Sequence, residues 1–93
     1  MDQNAKFVDS ERAVLIQRVS LVMQLADELR SKNMLSEEAY SSIAANKTHQ
    51  DRMRTLYMFL DDGGSEVKST FYTILKNYHP YLVQELENSA TKK

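Results

Sequence analysis

Side chains suited to catalysis or metal binding are few and widely spaced in this sequence. His49 and His79 are the two histidines and there is no cysteine, which excludes a disulfide and a thiolate metal site. Residues 61–64, DDGG, resemble part of a calcium loop, but no acidic residue closes a twelve-residue frame. No serine, histidine and aspartate stand in an order that suggests a catalytic triad. We therefore expect no enzyme activity, no metal site and no cofactor.

The bulk composition is that of one ordinary globular domain. The chain has 93 residues, of which 42% are hydrophobic and 27% charged, too apolar for a disordered tail. Twelve Lys and Arg against 13 Asp and Glu give a net charge of −1, whereas a nucleic-acid-binding domain usually carries a basic surplus. No apolar run approaches the roughly 18 residues that span a bilayer, and the first residues contain no apolar signal core.

The spacing of apolar residues predicts a chain built of helices. Glycine occurs only at Gly63 and Gly64 and proline only at Pro80, so the helices should be joined by short loops. Six segments repeat apolar residues three or four positions apart, as one face of a helix does. The predicted core residues are Val8, Leu15, Ile16, Val19, Val22, Leu25, Ala26, Leu29, Ala39, Tyr40, Ile43, Ala44, Met53, Leu56, Tyr57, Leu60, Val67, Phe71, Ile74, Leu75, Tyr78, Leu82, Val83 and Leu86.

Capping residues predict where these helices begin. Ser36 and Thr48 are N-cap candidates, and Pro80 suits the first position of the last helix. Residues 61–64 read as a turn. Ser20 either caps the second helix or marks a bend, so the first stretch is one kinked helix or two. Short connections favour antiparallel neighbours, and the predicted fold is an all-α, six-helix antiparallel bundle.

Four fragments, in this order and spacing, resemble the caspase recruitment domain (CARD) family of the death-fold superfamily. They are FVDSERAVLIQRV from residue 7, LSEEAY from residue 35, MRTLY from residue 53 and HPYLVQELE from residue 79. The likeness extends over residues 7–87 and is greatest to CARDs of inflammasome adaptors and of NOD-like-receptor sensors. It implies a death fold with a kinked or broken first helix. The DDGG turn departs from the family, which has an aromatic-containing loop there.

The resemblance also implies a function in innate immunity and apoptosis. CARDs bind other CARDs and themselves, oligomerise into helical filaments, assemble inflammasome-type complexes and recruit an inflammatory caspase. The expected location is cytoplasmic, and the expected partners are CARD proteins and a caspase rather than nucleic acid or membrane. The alternative function, from another class, is a small helical nucleic-acid-binding domain with Arg52 and Arg54 on phosphates.

CARDs pair a basic surface on their first and fourth helices with an acidic surface on their second and third. Carried over position by position, the resemblance implies a basic surface of Arg12, Arg18, Arg52 and Arg54, and an acidic surface of Asp27, Glu37 and Glu38, with Glu28 nearby. A helical wheel places Asp27 in solvent but sets Arg12 beside apolar residues, so that only a bend in the first helix would expose it. Ordinary solvated charges, with no partner, are the competing interpretation.

Tyr81 and the ends of the domain complete the sequence-based expectations. Tyr81 follows Pro80 and is either an exposed anchor for a second contact or packed against the fifth helix. We expect an N-terminal extension over residues 1–6, a CARD-like domain over 7–88 and a frayed tail over 89–93.

Overall fold

The computed structural model describes residues 3–91, and within that range the chain forms helices and no strand. The predicted all-α bundle of six helices is confirmed. One long helix, α5, packs against each of the other five. No helix in residues 3–91 has the length and apolarity needed to cross a membrane. The helices are α1 (Gln3–Ser10), α2 (Arg12–Arg18), α3 (Val22–Ser31), α4 (Glu37–Ala44), α5 (His49–Tyr78) and α6 (Pro80–Thr91).

The apolar stretch from residue 8 to residue 29 forms three helices instead of one kinked helix or two. Glu11, with φ −98° and ψ 17°, leaves helical geometry and separates α1 from α2. Residues 19–21 then connect α2 to α3. Leu21 stands at the N-cap of α3 without a side-chain hydrogen bond, so Ser20 lies at a bend and does not cap the helix. The first helix is therefore broken, as the resemblance implied.

The turn predicted at residues 61–64 is a kink at a single residue. Residues 61–63 continue α5, and Gly64 alone leaves helical geometry, with φ 81° and ψ −165°. Glycine reaches that φ at no steric cost. A Cβ atom on Gly63 would overlap the Val67 side chain. Gly64 therefore allows the change of direction, and Gly63 allows Val67 to approach the backbone closely. The fourth and fifth predicted helices are consequently the two halves of α5.

The predicted caps of α4, α5 and α6 are confirmed. The Ser36 hydroxyl accepts a hydrogen bond from the Ala39 amide at 3.0 Å, and the Thr48 hydroxyl accepts one from the Asp51 amide at 3.1 Å. Pro80 is the first residue of α6. The two hydroxyls accept hydrogen bonds from first-turn amides that have no partner inside the helix. Proline has no amide hydrogen that would be left unpaired at this position.

Helix α3 ends in a Schellman motif built around an asparagine. Asn33 adopts φ 61°, a left-handed conformation that asparagine tolerates better than most residues. Its amide donates to the Arg30 carbonyl at 3.0 Å, and the Met34 amide donates to the Leu29 carbonyl at 2.9 Å, the two bonds of the motif. The reversal lets α4 pack back against α3, so that charged residues of both helices share one side of the bundle.

The buried residues agree with the predicted apolar faces at most positions. Tyr40, Ala44, Val67 and Leu82 are half-buried, and the other predicted core residues are buried apart from one. That exception is Tyr78, for which the prediction was wrong: it is 40% exposed. Tyr78 is the last residue of α5, so its ring can extend past the core. Its hydroxyl then lies 3.3 Å from the Glu28 carboxylate. Ala5 and Tyr72 are also buried, outside the predicted faces.

Helices α1 and α6 extend beyond residues 7–88, and those predicted domain bounds stay a prediction. Helix α1 begins at Gln3 and Ala5 is fully buried, so residues 3–6 are packed where an extension was predicted. Ala5 is the one apolar residue among residues 2–6, and a single apolar residue shows no helical spacing from which a helix could be predicted. Helix α6 continues to Thr91, into the predicted frayed tail. Residues 1–2 and 92–93, which fall in the same predicted segments, lie outside the described residues.

The core assignment predicts which truncations destabilise the bundle. Leu56 and Phe71 are both fully buried, so Leu56→Ala or Phe71→Ala should lower the free energy of unfolding by about 2–5 kcal/mol through lost burial and a residual cavity. Met58 is 62% exposed, and Met58→Ala is the matched control with little expected effect. Urea denaturation followed by circular dichroism measures all three. Equal stability of the three variants would contradict the assigned faces.

Candidate interaction surfaces

A buried hydrogen bond lies at the break between α1 and α2. The Tyr57 hydroxyl, from α5, donates to the Val8 carbonyl at 2.8 Å. In an uninterrupted helix that carbonyl would accept from the Arg12 amide. The bond satisfies two polar groups that would be costly to bury unpaired, and burial raises the pKa of the Tyr57 hydroxyl. The Tyr57 side chain thus stabilises the break between α1 and α2.

Arg12 reaches solvent because the chain breaks one residue before it. Its side chain is 46% exposed, whereas a straight helix would direct it toward the apolar face. The guanidinium lies 4.9 Å from the centroid of the Tyr57 ring, within cation–π range. One of its nitrogens is 3.4 Å from an Asp61 carboxylate oxygen. The bend that the helical wheel required for Arg12 is therefore present.

Arg12 and Arg54 share a shallow depression between α2 and α5. Its other lining residues are Ser10, Ala13, Ile16 and Gln17. Arg54 is 54% exposed and lies 2.8 Å from the Asp51 carboxylate one turn earlier in α5. Of the predicted basic residues, these are the two that the structure brings together, and we call this region the α2–α5 surface.

Arg18 and Arg52 point elsewhere. Arg18, at the end of α2, pairs with Glu85 of α6 at 3.1 Å and is 49% exposed. Arg52 is half-buried; its Nε donates to the Asn46 carbonyl at 2.9 Å and its Nη2 to the Ala44 carbonyl at 3.4 Å. Arg52 therefore holds the C-terminal end of α4, where a cation also complements the helix dipole.

The predicted acidic residues lie on adjacent parts of α3 and α4. Asp27, Glu37 and Glu38 are exposed and Glu28 is half-buried, which confirms the exposure that the wheel gave Asp27. Arg30 of α3 lies 4.0 Å from Glu37 of α4, so the two helices bring these charges close. We call the region formed by these four acidic residues and Arg30 the α3–α4 surface.

Two tyrosines border the α3–α4 surface. The Asp27 carboxylate, as a hydrogen-bond acceptor, raises the pKa of the Tyr40 hydroxyl, and the Arg30 guanidinium lies 5.1 Å from the Tyr40 ring centroid. Partial burial and Glu28 raise the pKa of Tyr78. The surface therefore combines negative charge with two aromatic rings and an arginine, and aromatic residues and arginine are enriched in contact sites between proteins.

Comparison with protein-family models matches residues 5–89 to the caspase recruitment domain family. The chain belongs to the CARD family. Membership supports a homotypic interaction module, which agrees with the all-helical fold described above.

Several curated proteins are similar to this CARD over most of its length. "Apoptosis-associated speck-like protein containing a CARD" of Mus musculus and that of Bos taurus are each 40% identical over 83 residues, which is 89% of this chain and 42% of either relative. "NACHT, LRR and PYD domains-containing protein 1b allele 3" of Mus musculus is 39% identical over 80 residues, 86% of this chain and 7% of that protein. The chain thus spans less than half the length of these relatives.

Two features of the CARD surface lack a signal in the sequence pattern. Lys68, with a side chain only 14% exposed, lies 2.8 Å from Asp9 and 3.2 Å from Asp61, and its hydrogen bond to Asp9 raises the pKa of the lysine. This cluster ties α1 to both halves of α5. Met58, 62% exposed on α5, is an apolar residue that lies outside the predicted apolar faces.

Tyr81 and the histidines have clear positions in the CARD. Tyr81 is 83% exposed at the start of α6, which leaves it accessible for the predicted second contact. His49 Nε2 lies 3.3 Å from the Gln17 carbonyl. His79 Nε2 is buried without a partner among the described residues, and burial lowers the pKa of that imidazole. Residues 3–91 contain no group of three or more His, Asp or Glu side chains suited to hold a metal ion.

The hydrogen bond at the helix break generates a stability prediction. Tyr57→Phe removes the donor and leaves the buried Val8 carbonyl unpaired, which should cost about 1–3 kcal/mol in the free energy of unfolding. Tyr81→Phe removes an exposed hydroxyl and serves as the matched control. Urea denaturation measures both variants. A Tyr57→Phe protein as stable as the control would mean that the hydroxyl does not hold the break.

The buried tyrosines also predict a loss of stability in alkali. Burial, with the hydrogen bond to Glu87, raises the pKa of Tyr72 to about 12, and burial raises that of Tyr57 further. Above pH 10 the unfolded chain loses these protons while the folded CARD keeps them, so stability is complete below pH 10 and declines as pH rises toward 12. Urea midpoints between pH 8 and 11.5 measure the decline. Tyr72→Phe should flatten it, and a slope equal to that of Tyr81→Phe would contradict the assignment.

Proposed function

We propose that this CARD associates head to tail with itself and with other CARDs, its α2–α5 surface against the α3–α4 surface of the next molecule. One observation carries the proposal: side chains of opposite charge are exposed on different helices. Arg12 and Arg54 line one depression between α2 and α5, and Asp27, Glu37 and Glu38 are exposed on α3 and α4. Complementary charge steers partners together and fixes their register.

Head-to-tail pairing has a defined consequence for assembly. Neither surface pairs with its own copy around a twofold axis, so a first contact leaves a basic surface free on one molecule and an acidic surface free on the other. Contacts of this kind extend into a helical polymer when the rotation between neighbours does not close a ring. A filament is therefore the proposed assembled state, and its formation should begin sharply above a threshold concentration. Tyr81, exposed on α6, is the proposed second contact between neighbouring subunits.

The proposed biological role is recruitment of an inflammatory caspase into an inflammasome-type complex in the cytoplasm, through contact between this CARD and the caspase's own CARD. Family membership and the likeness to the mammalian CARD-containing and NACHT-containing proteins support this role. The chain itself would act as an assembly module with no catalytic step.

Charge reversal tests the head-to-tail contact. Asp27→Lys and Arg54→Glu each place like charges across every contact, so each variant alone should stay folded and fail to assemble, because such juxtaposition costs several kcal/mol at an interface. Light scattering across a concentration series, with a thermal melt of each variant, measures assembly and folding separately. Glu66→Lys and Lys6→Glu make the same reversals at exposed positions without an ion pair among the described residues, and they should assemble like the parent.

A mixture of the two reversed proteins sharpens the test. Asp27→Lys keeps the α2–α5 surface and Arg54→Glu keeps the α3–α4 surface, so together they should form heterodimers or short oligomers that neither forms alone. Long filaments in the mixture would indicate that residues 27 and 54 face each other directly. If both variants polymerise at the parent's threshold while folded, these charges are ordinary solvated side chains and the proposed contact is wrong.

A further inference from the structure

Each exposed arginine of the predicted basic surface already has a carboxylate partner in its own chain. The pairs are Arg12 with Asp61 at 3.4 Å, Arg18 with Glu85 at 3.1 Å and Arg54 with Asp51 at 2.8 Å. Both members of each pair are between 46% and 59% exposed. These pairs therefore lie in solvent, where a second carboxylate could replace the first.

The α3–α4 surface lacks such compensation. Its one ion pair joins Glu37 to Arg30 at 4.0 Å, the limit for such a contact. Asp27 and Glu38 have no ion pair within the part of the chain that the structure describes. One surface thus keeps its negative charge, while the positive charge of the other is balanced by neighbours on the same molecule.

This imbalance has a physical consequence for association. Internal counter-charges weaken the field that attracts a partner before contact, and they must be exchanged for the partner's carboxylates when contact forms. Exposed ion pairs are weak, so the exchange is possible, but it reduces the net gain of each contact. The strength of assembly then depends on residues that need not touch the partner at all.

We infer that Asp51 and Asp61 compete with the partner's carboxylates for Arg54 and Arg12, and so raise the concentration at which this CARD assembles. The inference rests on the proposed head-to-tail contact and adds its regulation. The two acidic residues are determinants of the threshold, acting through the arginines they hold. A partner or a solution condition that draws these carboxylates away favours assembly.

Asp61 and its neighbour provide a matched pair for the experiment. Asp61→Asn removes the partner of Arg12, and Lys68 keeps Asp9 at 2.8 Å. Asp62→Asn changes the net charge equally at an exposed residue that has no ion pair among the described residues. The threshold concentration, read by light scattering and by sedimentation of polymer, should fall about twofold to fivefold for Asp61→Asn relative to Asp62→Asn, the effect of releasing Arg12 from one exposed ion pair. The contact of Asp61 with Lys68 at 3.2 Å is lost as well, so a thermal melt of the variant checks that it stays folded.

Asp51→Asn repeats the comparison on Arg54, and Glu85→Gln is a further control because its partner Arg18 lies outside the α2–α5 surface. Asp51 also stands in the first turn of α5, where a carboxylate complements the helix dipole, so a purely structural role would lower the melting temperature and leave the threshold unchanged. A competing role should also steepen the rise of the threshold with added salt, because an unpaired cation is more strongly screened.

The outcomes separate this inference from the function on which it rests. Assembly of Arg54→Glu at the parent's threshold would overturn the proposed contact itself. If Arg54→Glu is blocked while Asp61→Asn and Asp51→Asn both assemble at the threshold of Asp62→Asn, or above it, the contact stands and the competition is refuted. A lower threshold and a steeper salt dependence, in variants that melt as folded proteins, support it.

Discussion

The hydrogen bond from the Tyr57 hydroxyl to the Val8 carbonyl is the interaction on which the placement of the charged residues depends. It joins the central helix, α5, to the point where α1 gives way to α2. A buried carbonyl without an amide partner would be costly, and the phenol supplies the missing donor from a helix 49 residues away in sequence. Since the same ring lies beneath the Arg12 guanidinium, one side chain stabilises the break and supports the residue that the break exposes.

Unpaired backbone groups at helix ends also fix the positions of α3 and α4. The Schellman motif at Asn33 and the cap at Ser36 reverse the chain within a few residues, which places acidic residues of α3 and α4 next to each other. Arg52 binds the last carbonyls of α4 and holds that helix to α5. Backbone groups that secondary structure leaves unpaired therefore fix the geometry of both charged surfaces, and the apolar core supplies most of the remaining stability.

Local chemistry made much of this fold predictable, and tertiary contacts decided the rest. Ser36, Thr48 and Pro80 act within one turn of their own helices, so their roles followed from sequence, as did the buried faces. The break at Glu11 was not predictable in position, because no glycine or proline marks it and its hydroxyl donor comes from α5. Arg52 and Arg54 are two residues apart in the sequence, yet one binds a helix end and the other faces solvent. Family resemblance could assign both to one surface but could not distinguish their side-chain directions.

The kink at Gly64 has a stereochemical consequence. Its φ of 81° and ψ of −165° mirror an extended conformation that L-residues adopt with ease. The backbone at this one position therefore has the handedness of a D-amino acid. A chemically synthesised chain with D-alanine at residue 64 would match the native dihedral angles while restricting the unfolded chain, the condition under which replacing glycine increases stability.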